Sequence, residues 1–201
     1  MLSRSRGFTL IELLVAVSLG ALLMALAMPG FKTWIGNSRI RTVADSVQSG
    51  LRQAQSEAQR RAHTVVFFRT TSTACGSAAV ANAGGQNWQI RTVPNAAMSD
   101  DAAEDVLCGV LTDASSGVQL DGPAAVCFTG DGRQTASTNP ASIGLDCAPD
   151  AQGRPSTYDV TPSTASADAR PLRVLVALGG SVRMCDPKKT QSSSAPDGCP
   201  P

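Results

Sequence analysis

At 201 residues, with 42% apolar side chains and a formal charge of +1, the chain has room for one domain plus an anchor and enough apolar matter for a core. The near-zero charge excludes a whole-surface electrostatic partner such as duplex nucleic acid. Six cysteines with no C-x-x-C and one histidine, His63, exclude a conventional zinc site, and with 4% aromatics the core must rest on Val, Leu and Ala.

From Phe8 to Met28 the chain is apolar or small except for Glu12, and as a helix these twenty-one residues would rise about 31 Å, a bilayer's hydrocarbon thickness. Arg4 and Arg6 precede it with no acid, which keeps the N-terminus cytoplasmic and exports the bulk of the chain. A cleavable secretory signal has a shorter apolar core followed by its cleavage site, whereas here the one processing point, Gly7 before Phe8, lies ahead of the run. A carboxylate inside such a helix costs a few kcal/mol unless neutralised. Cleavage after Gly7 would place a new amino group on Phe8, about one helical turn from Glu12 on the same or a neighbouring helix.

Gly7-Phe8-Thr9-Leu10-Ile11-Glu12 behind a short basic leader resembles the class III signal of type IV prepilins and type II secretion pseudopilins. The resemblance implies cleavage by prepilin peptidase between Gly7 and Phe8, N-methylation of Phe8, and a Glu12 that guides assembly through a neighbouring N-terminus. Pro29 stands where pilins commonly have a proline and is expected to kink the helix. Losing Arg4 and Arg6 with the leader takes the formal charge from +1 to −1.

The expected organisation is a leader over 1–7, a membrane and assembly helix over 8–29, an amphipathic continuation over 30–62, a β-rich head over 63–185 and a tail over 186–201. Ile40, Val43, Val47, Leu51, Ala54 and Ala58 recur at three- and four-residue steps, a stripe meant for a covering sheet. Strands are predicted over 63–69, 88–93, 106–111, 118–120, 124–129, 172–178 and 181–185, punctuated by Gly84-Gly85, Asp121-Gly122, Gly130-Asp131-Gly132 and Gly179-Gly180. About 135–169, rich in Ser, Thr, Pro, Ala and Asp, reads as a long loop pinned at Cys147. Helix then short antiparallel strands is the α+β class.

The layout resembles the GspH/FimT group of the pilin superfamily: Leu51 to Phe68 matches its helix end running into the first strand, Ala125 to Arg133 its later strand and glycine turn, and Leu172 to Cys185 its closing hairpin. That implies the type IV pilin fold, a long bent N-terminal helix packed on an antiparallel sheet.

All six cysteines follow the apolar run, an even count that points to disulfides in an oxidising compartment. Six cysteines allow fifteen connectivities. Sequential pairing, Cys75 with Cys108, Cys127 with Cys147 and Cys185 with Cys199, is preferred because nearby partners close loops without a distant approach.

No nucleophile-base constellation is present, so no enzyme, cofactor or metal is expected; Asp100, Asp101, Glu104 and Asp105 lack the alternating ligands of a calcium loop, and Gly130 to Arg133 reads as a turn. The leading reading is a minor pilin at the tip of a type IV pilus, in contact with other minor and major pilins. It would start in the bacterial inner membrane, head in the periplasm, before joining a surface filament. The alternative is a pseudopilin of a type II secretion system. A third reading, DNA binding in natural transformation, rests on the FimT branch's G-R-x-R motif. Here it reads Gly180-Ser181-Val182-Arg183, leaving Arg170, Arg173, Arg183, Lys188 and Lys189 as a candidate basic patch.

Overall fold

The computed structural model describes residues 8–95, 97–98, 100–150 and 152–200. Two compact units divide the chain, the first ending at Ile35 and the second starting at Gly36. One helix, α1 (Leu10–Arg61), opens the chain. Among the described residues no single helix is long and apolar enough to cross a membrane; the limbs Leu10–Ala25 and Gly30–Arg61 meet that test only together. The interruption follows from Pro29, which has no N–H to give the carbonyl of residue 25. In the first unit the apolar side chains stand exposed, among them Leu13, Leu14, Val17, Leu22, Leu23 and Met24.

The second unit is α+β. Its share of α1 buries Ile40, Val43, Ala44, Val47, Leu51, Ala54 and Ala58, the predicted stripe extended by Ala44. Against it stand two five-stranded sheets. The first runs β3 (Asp105–Gly109), β2 (Asn87–Thr92), β1 (Val65–Thr70), β5 (Ala125–Phe128) and β6 (Gln134–Thr135). The second runs β10 (Gly198–Cys199), β9 (Val182–Thr190), β8 (Leu172–Val176), β7 (Ser156–Pro162) and β4 (Val118–Asp121). All neighbours are antiparallel except β9 and β10.

Side-chain alternation sorts the strands into a shared core and two outer faces. Val65, Phe67, Ile90, Val126 and Phe128 of the first sheet meet Tyr158, Val160, Val174, Val176 and Val182 of the second and the helix stripe in one cluster. On the outer side of the first sheet Val66, Phe68, Ala125 and Cys127 are covered by Ala79, Ile143 and Cys147 from the loops. On the outer side of the second, Leu175 packs with Cys185 and Cys199. The helix comes close at Gly50, where a Cβ would lie 2.9 Å from Phe67 Cε2, and beside it Trp88 donates its indole N–H to Ser46 Oγ at 3.0 Å.

Two expectations are corrected. The stretch 135–169 is no continuous loop: it holds β7, which pairs with both β4 and β8. A strand buried on one face needs few large apolar residues, and β7 offers only Tyr158 and Val160, separated by Asp159. The tail from 186 is also ordered, since β9 runs on to Thr190 and β10 lies parallel to it, with Asp186 N–H donating to Asp197 O at 2.8 Å. The first strand starts at Val65 because the backbone turns out of the helix at Ala62, whose φ is +50°.

Candidate functional site

Gly7 lies outside the described residues, so the processing site is seen from Phe8 onward. Phe8 is exposed, and Thr9 and Glu12 begin the helix with reciprocal bonds. The Thr9 backbone N–H and hydroxyl donate to Glu12 Oε2 at 3.1 and 3.0 Å, and the Glu12 N–H donates to Thr9 Oγ1 at 3.3 Å. This is a capping box, which satisfies amide groups that have no partner in the first turn. Sequence reasoning assigned Glu12 a cation and left Thr9 to bond its own backbone, without pairing the two, although T-x-x-E ahead of an apolar run is the signature of this cap. Phe31 and Trp34, one turn apart on the same helix, stack with centroids 5.8 Å apart.

In the head the structure joins the six cysteines as Cys75–Cys108, Cys127–Cys147 and Cys185–Cys199, with Cα separations of 5.9, 5.7 and 4.9 Å. The last two bridges lie in the two outer-face clusters, where Cys127–Cys147 fixes a covering loop to the first sheet and Cys185–Cys199 ties the edge strand β10 to β9.

The acidic residues at 100–105 are tied mainly to basic partners. Glu104 pairs with Arg61, Asp105 receives Arg91 Nε at 2.6 Å, and Asp101 Oδ2 lies 2.7 Å from His63 Nε2. The other nitrogen of His63 faces Thr64 O at 3.2 Å, so only the doubly protonated ring donates to both acceptors. The Asn95 N–H and then His63 hold the Asp101 carboxyl below the usual aspartate range. Glu57 is likewise held low, first by its bond to Arg60 and also by Arg61, against the opposing pull of burial.

Arg69, fully buried in β1, pairs with no carboxylate among the described residues; its guanidinium donates to Gly85 O at 2.8 Å, Gly122 O at 3.0 Å and Leu120 O, and burial lowers its pKa. It ties the first sheet to the edge of the second. Gln134 makes a similar stitch: its backbone N–H donates to Leu178 O at 2.9 Å and its side-chain amide to Val176 O at 2.7 Å. The two glycine turns meet beside the helix, where Gln55 donates to Gly132 O at 3.0 Å and Gly180 is so close that a Cβ would run into that same oxygen.

Each cation of the candidate DNA-facing patch has a partner except Arg170, for which no side-chain partner is seen among the described residues. Arg173 Nε lies 2.6 Å from Asp159, Lys189 Nζ 2.6 Å from Asp197, Lys188 Nζ donates to Ala169 O at 2.7 Å, and Arg183 donates to Gln191 at 3.1 Å. Arg170 lines a groove of about 530 Å³ with Arg41, Lys189, Asp186 and Asp197, a mixture of charge signs. A phosphate backbone would find neither a row of free cations nor a uniformly positive groove.

The family model described as type II transport protein GspH matches residues 43–180. The chain belongs to the GspH family. This GspH-family chain also matches the prokaryotic N-terminal methylation motif over residues 2–28. Among solved structures the chain is similar to the type IV minor pilin FimU of Pseudomonas aeruginosa, at 12% identity and a TM-score of 0.45 over 81% of this chain and 96% of that one. It is similar also to the minor pseudopilin EpsH from the Type 2 Secretion System of Vibrio cholerae, at 14% identity and a TM-score of 0.47 over 75% and 99%. No curated protein matches the chain.

Proposed function

We propose that this chain is a non-enzymatic minor pilin that helps initiate or cap a type IV pilus at its tip. Prepilin peptidase cleaves between Gly7 and Phe8, Phe8 is N-methylated, and the subunit waits in the bacterial inner membrane with its head in the periplasm. The observation that carries this reading is the run of exposed apolar side chains from Phe8 to Met24, headed by the methylation motif. So large an apolar surface calls for lipid or for other subunits.

Glu12 then has a succession of partners. In the full chain Thr9 holds it; after cleavage the amine on Phe8 of an adjoining subunit neutralises it, which removes the cost of a carboxylate among apolar helices. Pro29 relaxes the helix between this assembly segment and the amphipathic part. The head presents its loops to other minor and major pilins.

The family's description as a type II transport protein favours a second reading, a pseudopilus subunit. Deleting the gene in its host and complementing it with the full chain separates the two. Loss of surface pili with secretion of folded enzymes intact is expected. The converse overturns the pilus assignment in favour of the secretion machine.

A further inference from the structure

We infer that Phe31 and Trp34 form an interfacial anchor that seats in the headgroup layer of a phospholipid bilayer and sets the depth of the subunit before assembly. The inference rests on the membrane-anchored reading above. Both rings are strongly exposed, 61% and 65%, and their planes lie 28° apart, so the pair offers one continuous aromatic plate on one side of the helix. Three residues separate them, which puts them on the same helical face.

Their position follows from helix arithmetic. The apolar run from Phe8 to Met28 takes up about 31 Å, the full hydrocarbon thickness. Phe31 then lies no more than about 4.5 Å beyond it along the axis and Trp34 no more than about 9 Å, the span of the headgroup layer. Aromatic rings with an apolar body and a polar edge concentrate at this depth, and the indole N–H of Trp34 is such an edge. Exposed Lys32 lies between them in sequence and supplies a cation suited to anionic headgroups. Burial within the chain does not account for the pair, whereas the other tryptophan, Trp88, is 6% exposed in the head core.

Trp88 makes the test clean, since it contributes a constant background that the Trp34→Phe variant isolates. The full chain is reconstituted into vesicles of phosphatidylethanolamine and phosphatidylglycerol, and tryptophan emission is read with phospholipids brominated at different depths and with aqueous iodide. Trp34 emission is expected to shift to the blue, to resist iodide, and to be quenched more by lipid brominated near the headgroup end of its acyl chains than by lipid brominated near their tips. A chain that floats with the vesicles while Trp34 stays open to iodide overturns the inference and leaves the membrane reading standing. The inference falls equally if Trp34 becomes shielded only in assembled filaments, which would make the plate a subunit contact. A chain that does not float with the vesicles at all overturns the membrane reading itself.

Discussion

Glu12 and Gly180 represent the two kinds of single-residue constraint in this molecule. In the proposed role Glu12 matters for what it meets later: Glu12→Ala should leave cleavage after Gly7 intact, because the peptidase junction is untouched, yet reduce the subunit's incorporation into sheared filaments, and normal incorporation would defeat that role. Gly180 matters for what surrounds it now. Its φ is +89° and it abuts Gly132 O, so Gly180→Ala forces both a strained backbone and a displaced turn, a loss of about 2–4 kcal/mol read as a lower urea midpoint. Asp101 adds a pH dependence. Its carboxyl is held below the usual range by Asn95 and His63, so its contribution is complete above the ordinary aspartate pKa and is lost as the pH falls through the depressed value. Amide protection at Asn95 should therefore be lost at a pH below the ordinary aspartate range, and Asp101→Asn should weaken it at neutral pH.

Among the elements, the outer face of the first sheet depends on the Cys127–Cys147 bridge. Val66 and Phe68 are fully buried there beneath loop residues, and the loop from Ser137 to Cys147 returns to the sheet at that bond. Cys127→Ser with Cys147→Ser should cost about 2–4 kcal/mol and increase protease cutting between 136 and 147. Whether an element was legible in the sequence depended on how many large apolar residues its environment demands. The helix announced itself because its stripe recurs over many turns, and β1 because Val65 to Phe68 is apolar on both faces. Strand β7 escaped because one buried face requires only Tyr158 and Val160, and β10 because it has two residues that depend on the Cys185–Cys199 bond. The stitches made by Arg69, Gln134 and Gln55 were illegible for a different reason: their partners are backbone carbonyls, which leave no trace in side-chain letters.

At the scale of the whole molecule, intact-mass and N-terminal analysis of the membrane-extracted protein tests maturation and oxidation together: a chain starting at methylated Phe8 that gains six hydrogens on reduction is expected, and one starting at Met1 from a host with the peptidase would remove the pilin pathway. The placement of the three bridges has one more consequence. Each joins strands and loops of the head to one another, and none reaches the helix from Gly36 to Arg61. That helix is held by its buried stripe and by bonds to carbonyls, such as Arg52 to Val182 O at 3.1 Å and Gln55 to Gly132 O at 3.0 Å. Tension entering along the helix, as in a retracting filament, would therefore pass into the head through non-covalent contacts and the backbone from Ala62 to Thr64, with no cross-link to share it. Pulled in a tweezers experiment from the N-terminus against the sheets, the head should yield first by the helix shearing out, at the same force whether the disulfides are intact or reduced, with reduction altering only the extension released afterwards.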